Sequence, residues 1–291
     1  MANFYGQYVG FGAGGAVPAF IFGGENYGYS YGGTSNSNIN QWSFASGVQN
    51  GSDVGDQSVE RRNTGGASSA THGYNFGGWP SDIIDKFQFT AGGTMSNVGD
   101  LSASRRYMSS ASTEDYGWSA GGAAPNTDVI ERFPFASDTN ATDWEDLAFV
   151  RSACCTGLCS AIHGYTAGGG AGGYDDWIDK YQFAVAAEST DVGDLTNDVI
   201  STIGTSSATH GYAMGGNEAA SVTVSDINKI SFSSDVNATK SGDITKDAAS
   251  ADFAGQGGRM LGTGASSTTY GYIAGGGFTG PTYDGESNII D

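Results

Sequence analysis

The chain has 291 residues with 31 acidic and 12 basic side chains, a formal charge of -19 that repels phosphate backbones and anionic lipid, so no nucleic acid partner is expected. Its 48 glycines form no collagen triplet, and 38% hydrophobic with 12% aromatic residues predict many short strands around a packed core. No apolar run approaches the about 20 residues that cross a bilayer, so no membrane insertion is expected, and the start at Met1 shows no signal-peptide pattern.

In chain order, the segment from Asn3 to Val9 precedes the first of six copies of one phrase, Gly-aromatic-x-x-Gly-Gly. Its Gly-Gly pairs end at 33, 78, 122, 169, 216 and 276, and its aromatics stand at 29, 74, 118, 165, 212 and 272. The spacings of 45, 44, 47, 47 and 60 residues are the length of one four-stranded propeller blade. Within a unit, the small-residue run Gly66 to His72, repeated at 204–210 and 264–270, reads as strand A. His-Gly or Tyr-Gly then reads as a hairpin turn, and the aromatic phrase as strand B. Strand C has period-two aromatics at Ile39–Phe44, Ile84–Phe89, Ile130–Phe135, Ile178–Phe183 and Ile227–Phe232. Strand D carries Val98-Gly-Asp-Leu101, Trp144-Glu-Asp-Leu147 or Val192-Gly-Asp-Leu195, and in three units an arginine stands four residues on from the leucine position, at Arg61, Arg105 and Arg151. The last unit stops part-way into strand C, at Asn288 to Asp291, so the N-terminal segment is expected to complete that blade.

The order of a Leu-x-x-x-Arg step, a hairpin, a Gly-Gly strand and an Ile-x-x-Tyr/Phe strand resembles the kelch repeat across nearly the whole chain. The resemblance implies a single all-β domain over 1–291, a six-bladed kelch-like β-propeller with four-stranded antiparallel blades. The sequence departs from that pattern at Val199 and Ala248, where the arginine is missing, and keeps the tryptophan only at Trp144. Other contacts must hold the blades there.

The residues that could carry chemistry have plainer roles. His72, His163 and His210 occupy one repeat position that holds tyrosine at 27, 116 and 270, which points to a turn rather than a metal site. Cys154, Cys155 and Cys159 fall within six residues and make no disulfide framework; Cys159 aligns with Ser68 and reads as a small buried side chain in a chain made in a reducing cytoplasm. The recurring Asp56, Asp100, Asp146, Asp194 and Asp243 lack the alternating oxygen ligands of a calcium loop. Asn140 and Asn237 begin sequons that read as turns. No catalytic residue, metal or cofactor is assigned. Neither the sialidase box nor a galactose-oxidase copper set can be placed.

Loop length carries more information. From the second glycine to the isoleucine of strand C the counts are 5, 5, 7, 8, 10 and 13 residues, and the insertion from Lys246 to Gly262 falls in the D-to-A connection on the same side. The candidate binding face is therefore Trp79, Tyr174, Asp175, Asp176, Trp177, Phe278 and Tyr283, aromatics beside carboxylates that suit a glycan or a protein partner. Because seven of the 12 basic residues sit at repeat positions, this face is expected to be strongly acidic.

Phrases such as Ser-Ala-Thr-His-Gly-Tyr-x-x-Gly-Gly, Ile-Asp-Lys-Phe-x-Phe and Asp-Val-Gly-Asp-Leu are similar to repeats in virion proteins of marine tailed bacteriophages. That resemblance implies a non-enzymatic structural protein located in the virion, a capsid-decoration or tail component. Its partners would be other virion proteins and a host-surface carbohydrate. The alternatives are a cellular kelch-type adaptor and, less favoured, a carbohydrate-active propeller enzyme.

Overall fold

A computed structural model describes residues 26–33, 36–45, 51–152, 156–218, 222–244, 262–267, 269–275 and 287–290. Three strands, β1 (Tyr27–Gly33), β2 (Asn36–Ser43) and β3 (Ser52–Asp56), form the first sheet. Three four-stranded sheets follow: β4 (Gly65–Ser68) to β7 (Ser96–Asp100) through β5 (His72–Phe76) and β6 (Ile83–Gln88); then β8 (Ser109–Ser112), β9 (Tyr116–Ala120), β10 (Thr127–Pro134) and β11 (Thr142–Arg151); then β12 (Thr156–Cys159), β13 (His163–Ala167), β14 (Asp175–Gln182) and β15 (Thr190–Val199). A fourth combines β16 (Ile203–Ser206), β17 (His210–Met214), β20 (Asp226–Ser231) and β21 (Thr239–Asp243), with the ribbon β18 (Asn217–Glu218) and β19 (Val222–Thr223) inserted between its second and third strands. The last sheet has β22 (Thr263–Ser266), β23 (Gly271–Ala274) and β24 (Ser287–Ile290).

All pairings are antiparallel between strands consecutive within a blade, the up-and-down order of a propeller blade. The chain is an all-β propeller with four-stranded blades. The expected count of six such blades is corrected: among the described residues four sheets have four strands, while the first and last have three each. A further strand for either end would have to come from residues outside those described. The expected closing segment from Asn3 to Val9 lies there, as do Ala248 and most of the insertion from Lys246.

The small-residue runs form the innermost strands. β4, β8, β12, β16 and β22 follow one another side by side, and β22 also meets β1. Their glycines permit this approach: a Cβ on Gly157 would stand 2.1 Å from the Ser110 carbonyl oxygen, and one on Gly264 would stand 1.9 Å from the Gly204 oxygen. Hydroxyls join the inner strands where no ladder runs between them. The Ser68 amide donates to Ser112 Oγ at 3.0 Å, and the Cys159 amide donates to Ser206 Oγ at 3.1 Å. Glycine and serine therefore recur together because the centre of the ring needs close backbones and local hydrogen-bond partners.

Further out, aromatics join the blades. In three units the strand-B ring stacks on the last phenylalanine of strand C in the next: Tyr29 on Phe89 at 5.0 Å, Tyr74 on Phe135 at 4.6 Å and Tyr165 on Phe232 at 4.8 Å. Trp118 meets Phe183 at 4.9 Å in a tilted version of the same contact. The last sheet meets the first in the same way. Tyr272 stacks on Phe44 at 4.6 Å and donates its hydroxyl to the Phe44 carbonyl at 3.2 Å.

The turn from strand A to strand B also differs from expectation. His72, His163 and His210 are the first residues of strand B, not turn residues, and the turn lies before them, closed by Ser69 N to His72 O at 2.8 Å and its repeats. The glycine after each histidine has no positive φ. It is needed because a Cβ on Gly73 would come 2.2 Å from the Tyr31 hydroxyl, and one on Gly164 would enter the Tyr181 ring.

Candidate functional site

The loop face is built by the Gly-Gly pairs and the connections between blades. Gly77 and Gly78 have φ of 58° and 95°, left-handed values that branched residues avoid, and the same pair of signs recurs at 121–122, 168–169 and 215–216. This bend threads each B–C loop between two connections. The Trp79 amide donates to the Arg62 carbonyl at 2.9 Å, and the Gly78 amide donates to the Arg105 carbonyl at 2.7 Å.

Beneath that face lie three buried ion pairs. Arg61 reaches into the following blade to Asp85 at 2.8 Å, Arg105 to Glu131 at 2.6 Å and Arg151 to Asp179 at 3.0 Å, with side-chain exposures of 0 to 2%. Each arginine also donates to backbone carbonyls, as Arg61 does to Ile83 and Asn75. Burial pulls the Arg61 and Arg105 guanidinium pKa values down while their carboxylate partners push them up. Where arginine gives way to Val199, the acid gives way to Asn228, whose Oδ1 accepts from the Thr196 amide and hydroxyl at 3.0 and 2.6 Å. Charge is removed from both partners together, as burial requires. These groups hold the blades and are not free for chemistry.

The predicted face residues do not form one cluster. Phe278 and Tyr283 lie outside the described residues. Tyr174 is half-buried, while Asp175, Asp176 and Trp177 begin strand β14 instead of lying in a loop, because β15 extends to Val199 and pairs with Asp175. Trp177 packs on Phe149 of the preceding blade at 4.1 Å, with the Arg151 guanidinium 5.4 Å from its ring centroid. Its surroundings are structural. Burial pushes the Asp176 pKa up, and Asp194, Asp198 and Asp175 add to the shift.

Trp79 is different. It is 46% exposed, and the guanidinium of Arg106 lies 5.4 Å from its ring centroid and 5.1 Å from that of Tyr107. Arg106 follows the buried Arg105, and Arg62, which is exposed, follows the buried Arg61. Tyr107 has φ of 63°, rare for a bulky side chain, and its amide donates to the Asn63 carbonyl at 3.0 Å, tying neighbouring connections together. Within the loop face, expected to be strongly acidic, a cation-aromatic sector lies at the second and third blades. Sequence reasoning missed Arg62, Arg106 and Tyr107, although the doubled arginines at 61–62 and 105–106 were visible and the repeat accounts for only the first of each pair.

The remaining candidates that are described serve packing and turns. Cys154 and Cys155 lie outside the described residues, whereas Cys159 is fully buried in β12, where desolvation raises its thiol pKa to about 12. Asn140 and Asn237 accept from the amides of Asp100 and Asp194 in the neighbouring blade, at 3.1 and 3.3 Å. Among the described residues no group of three or more His, Cys, Asp or Glu side chains could hold a metal ion, and no helix is long and apolar enough to cross a membrane.

No protein-family model matches the chain, and no curated protein matches it by sequence. Among solved structures it is similar to one described as the structure of YjhT, with a TM-score of 0.71 and 11% identity over 91% of this chain and 90% of that one. At that identity the likeness shows the fold alone: this chain is a β-propeller.

Proposed function

We propose that the protein is a non-enzymatic, kelch-like structural component of a tailed-phage virion, a capsid-decoration or tail protein whose loop face contacts another virion protein or a host-surface glycan. The observation that carries the binding part is the exposed Trp79 held against Arg106 and Tyr107 on the face where loop lengths diverge. An aromatic ring with a polar rim suits a sugar or a protein contact. The buried charges, in contrast, are used to join blades. The virion part rests on the repeated phrases of the sequence.

Mass spectrometry of purified particles tests the location. The chain is expected at a stoichiometry that matches a symmetric site, and its absence from particles, with a soluble pool in the host, rejects the virion reading. For the glycan contact, Trp79→Ala is expected to abolish binding to host-envelope polysaccharide; binding that survives this change removes Trp79 from the face.

A further inference from the structure

We propose that Trp79 and Arg106 form a subsite for a carboxylated sugar unit of a surface polysaccharide, an inference that rests on the loop face being glycan-binding. Arg61, Arg105 and Arg151 each have a carboxylate partner, but no carboxylate lies within ion-pair distance of Arg106 among the described residues. Its Nε is shielded from solvent and makes no hydrogen bond there. Arg132 likewise has no ion pair among the described residues and lies over Tyr116, Trp118 and Trp144, but Trp118 is fully buried, whereas Arg106 lies beside Trp79, which is 46% exposed. Tyr107 and Trp79 lie against its guanidinium, so the planar fork is held in a defined orientation and can pair with a planar carboxylate through two hydrogen bonds.

The two parts of the cluster match the two parts of such a sugar. The apolar face of the pyranose covers the exposed indole, and the carboxylate reaches the guanidinium. Exposed Arg62 supplies a second cation on the adjoining connection, which is hydrogen-bonded to Trp79 through its carbonyl. The charge of -19 opposes a polyanion at long range, yet screening limits that repulsion to about 8 Å at physiological salt, so the local arginine dominates at contact. The same net charge disfavours a doubly charged phosphate more than a singly charged carboxylate.

The test compares binding of the full chain to polygalacturonate and to the same polymer with its carboxyls methyl-esterified. Esterification is expected to weaken binding at least tenfold. Arg106→Gln should abolish the difference between the two polymers, Arg106→Lys should retain part of it, and Trp79→Ala should weaken both, with thermal unfolding checking that each variant folds. Equal binding of both polymers by the unaltered chain overturns the carboxylate subsite and leaves the glycan reading intact. Failure to bind polygalacturonate also overturns the subsite, and failure on a panel of neutral and acidic polysaccharides removes the glycan reading as well. If Arg106→Gln folds and still discriminates, Arg106 is not the carboxylate partner.

Discussion

Ala148 occupies a position that holds a hydroxyl elsewhere in the repeat. Ser58 donates its amide and hydroxyl to Asp85 at 3.2 and 2.6 Å, Ser102 donates both to Glu131, and Thr196 donates both to Asn228. Asp179, the equivalent acid beside Ala148, is buried and its Oδ1 has no hydrogen-bond partner. Burial raises its pKa against the lowering effect of Arg151. Such an orphaned acceptor costs stability that a matched donor recovers. Ala148→Ser is therefore expected to stabilise the fold by about 0.5–1.5 kcal/mol, read from the denaturation midpoint at unchanged slope. An unchanged midpoint would mean that the Ala148 amide, which donates to Ser189 Oγ at 2.7 Å, holds this backbone too far from Asp179 for a hydroxyl to reach it.

At the scale of the strand, the spacing of inner elements depends on residues that have no side chain. Gly157→Ala places a Cβ against the Ser110 backbone, where neither strand can yield without disturbing its neighbours, so a loss of about 1–3 kcal/mol or more is expected. Gly173→Ala, where nothing lies within 4 Å of the added atom and φ is not positive, is the control and should stay within about 0.5 kcal/mol. Equal midpoints for the two variants would show that the inner strands are not in close contact. The sequence made the strand pattern legible because each unit repeats its alternation of small and aromatic residues. It did not show why Gly73 and Gly164 are glycine, since the rings they accommodate, Tyr31 and Tyr181, lie on other strands. Nor did it separate strand from loop at Asp175 to Trp177, because an extended β15 decides that boundary through pairing. The site around Trp79 was half legible: the aromatic could be found, but Arg106 comes to it from the next connection, a placement set by the register of the blades.

For the molecule as a whole, pH and ring closure test the architecture. Burial lowers the pKa of His72, His163 and His210, with Lys86, Lys180 and Lys229 adding to the shift. A lowered folded pKa means the neutral form is favoured in the fold, so this contribution is complete above the unfolded value of about 6.5 and is lost as pH falls through the folded values. Asp179, Asp146 and Asp176 shift upward and act with the opposite sign, in the lower window where carboxylates titrate. The unfolding temperature should therefore fall between pH 7 and 5.5, and the triple change of these histidines to tyrosine, already accepted at Tyr116 and Tyr270, should flatten that slope; an unaltered slope assigns it to other groups. Closure depends on Phe44 and Tyr272. The Tyr74 stack on Phe135 joins sheets that the chain already links, whereas the Phe44 stack on Tyr272 joins residues 228 apart in sequence. Removing a ring costs local packing at both places, but only at the seam does it release the two ends of the ring from each other. Phe44→Ala should accordingly increase proteolysis and hydrogen exchange in the first and last sheets well below the global transition, while Phe135→Ala lowers the midpoint of one cooperative transition. If the two variants protect all sheets equally, the seam is no weaker than the joints between covalently linked blades, and closure must draw on contacts beyond this stack.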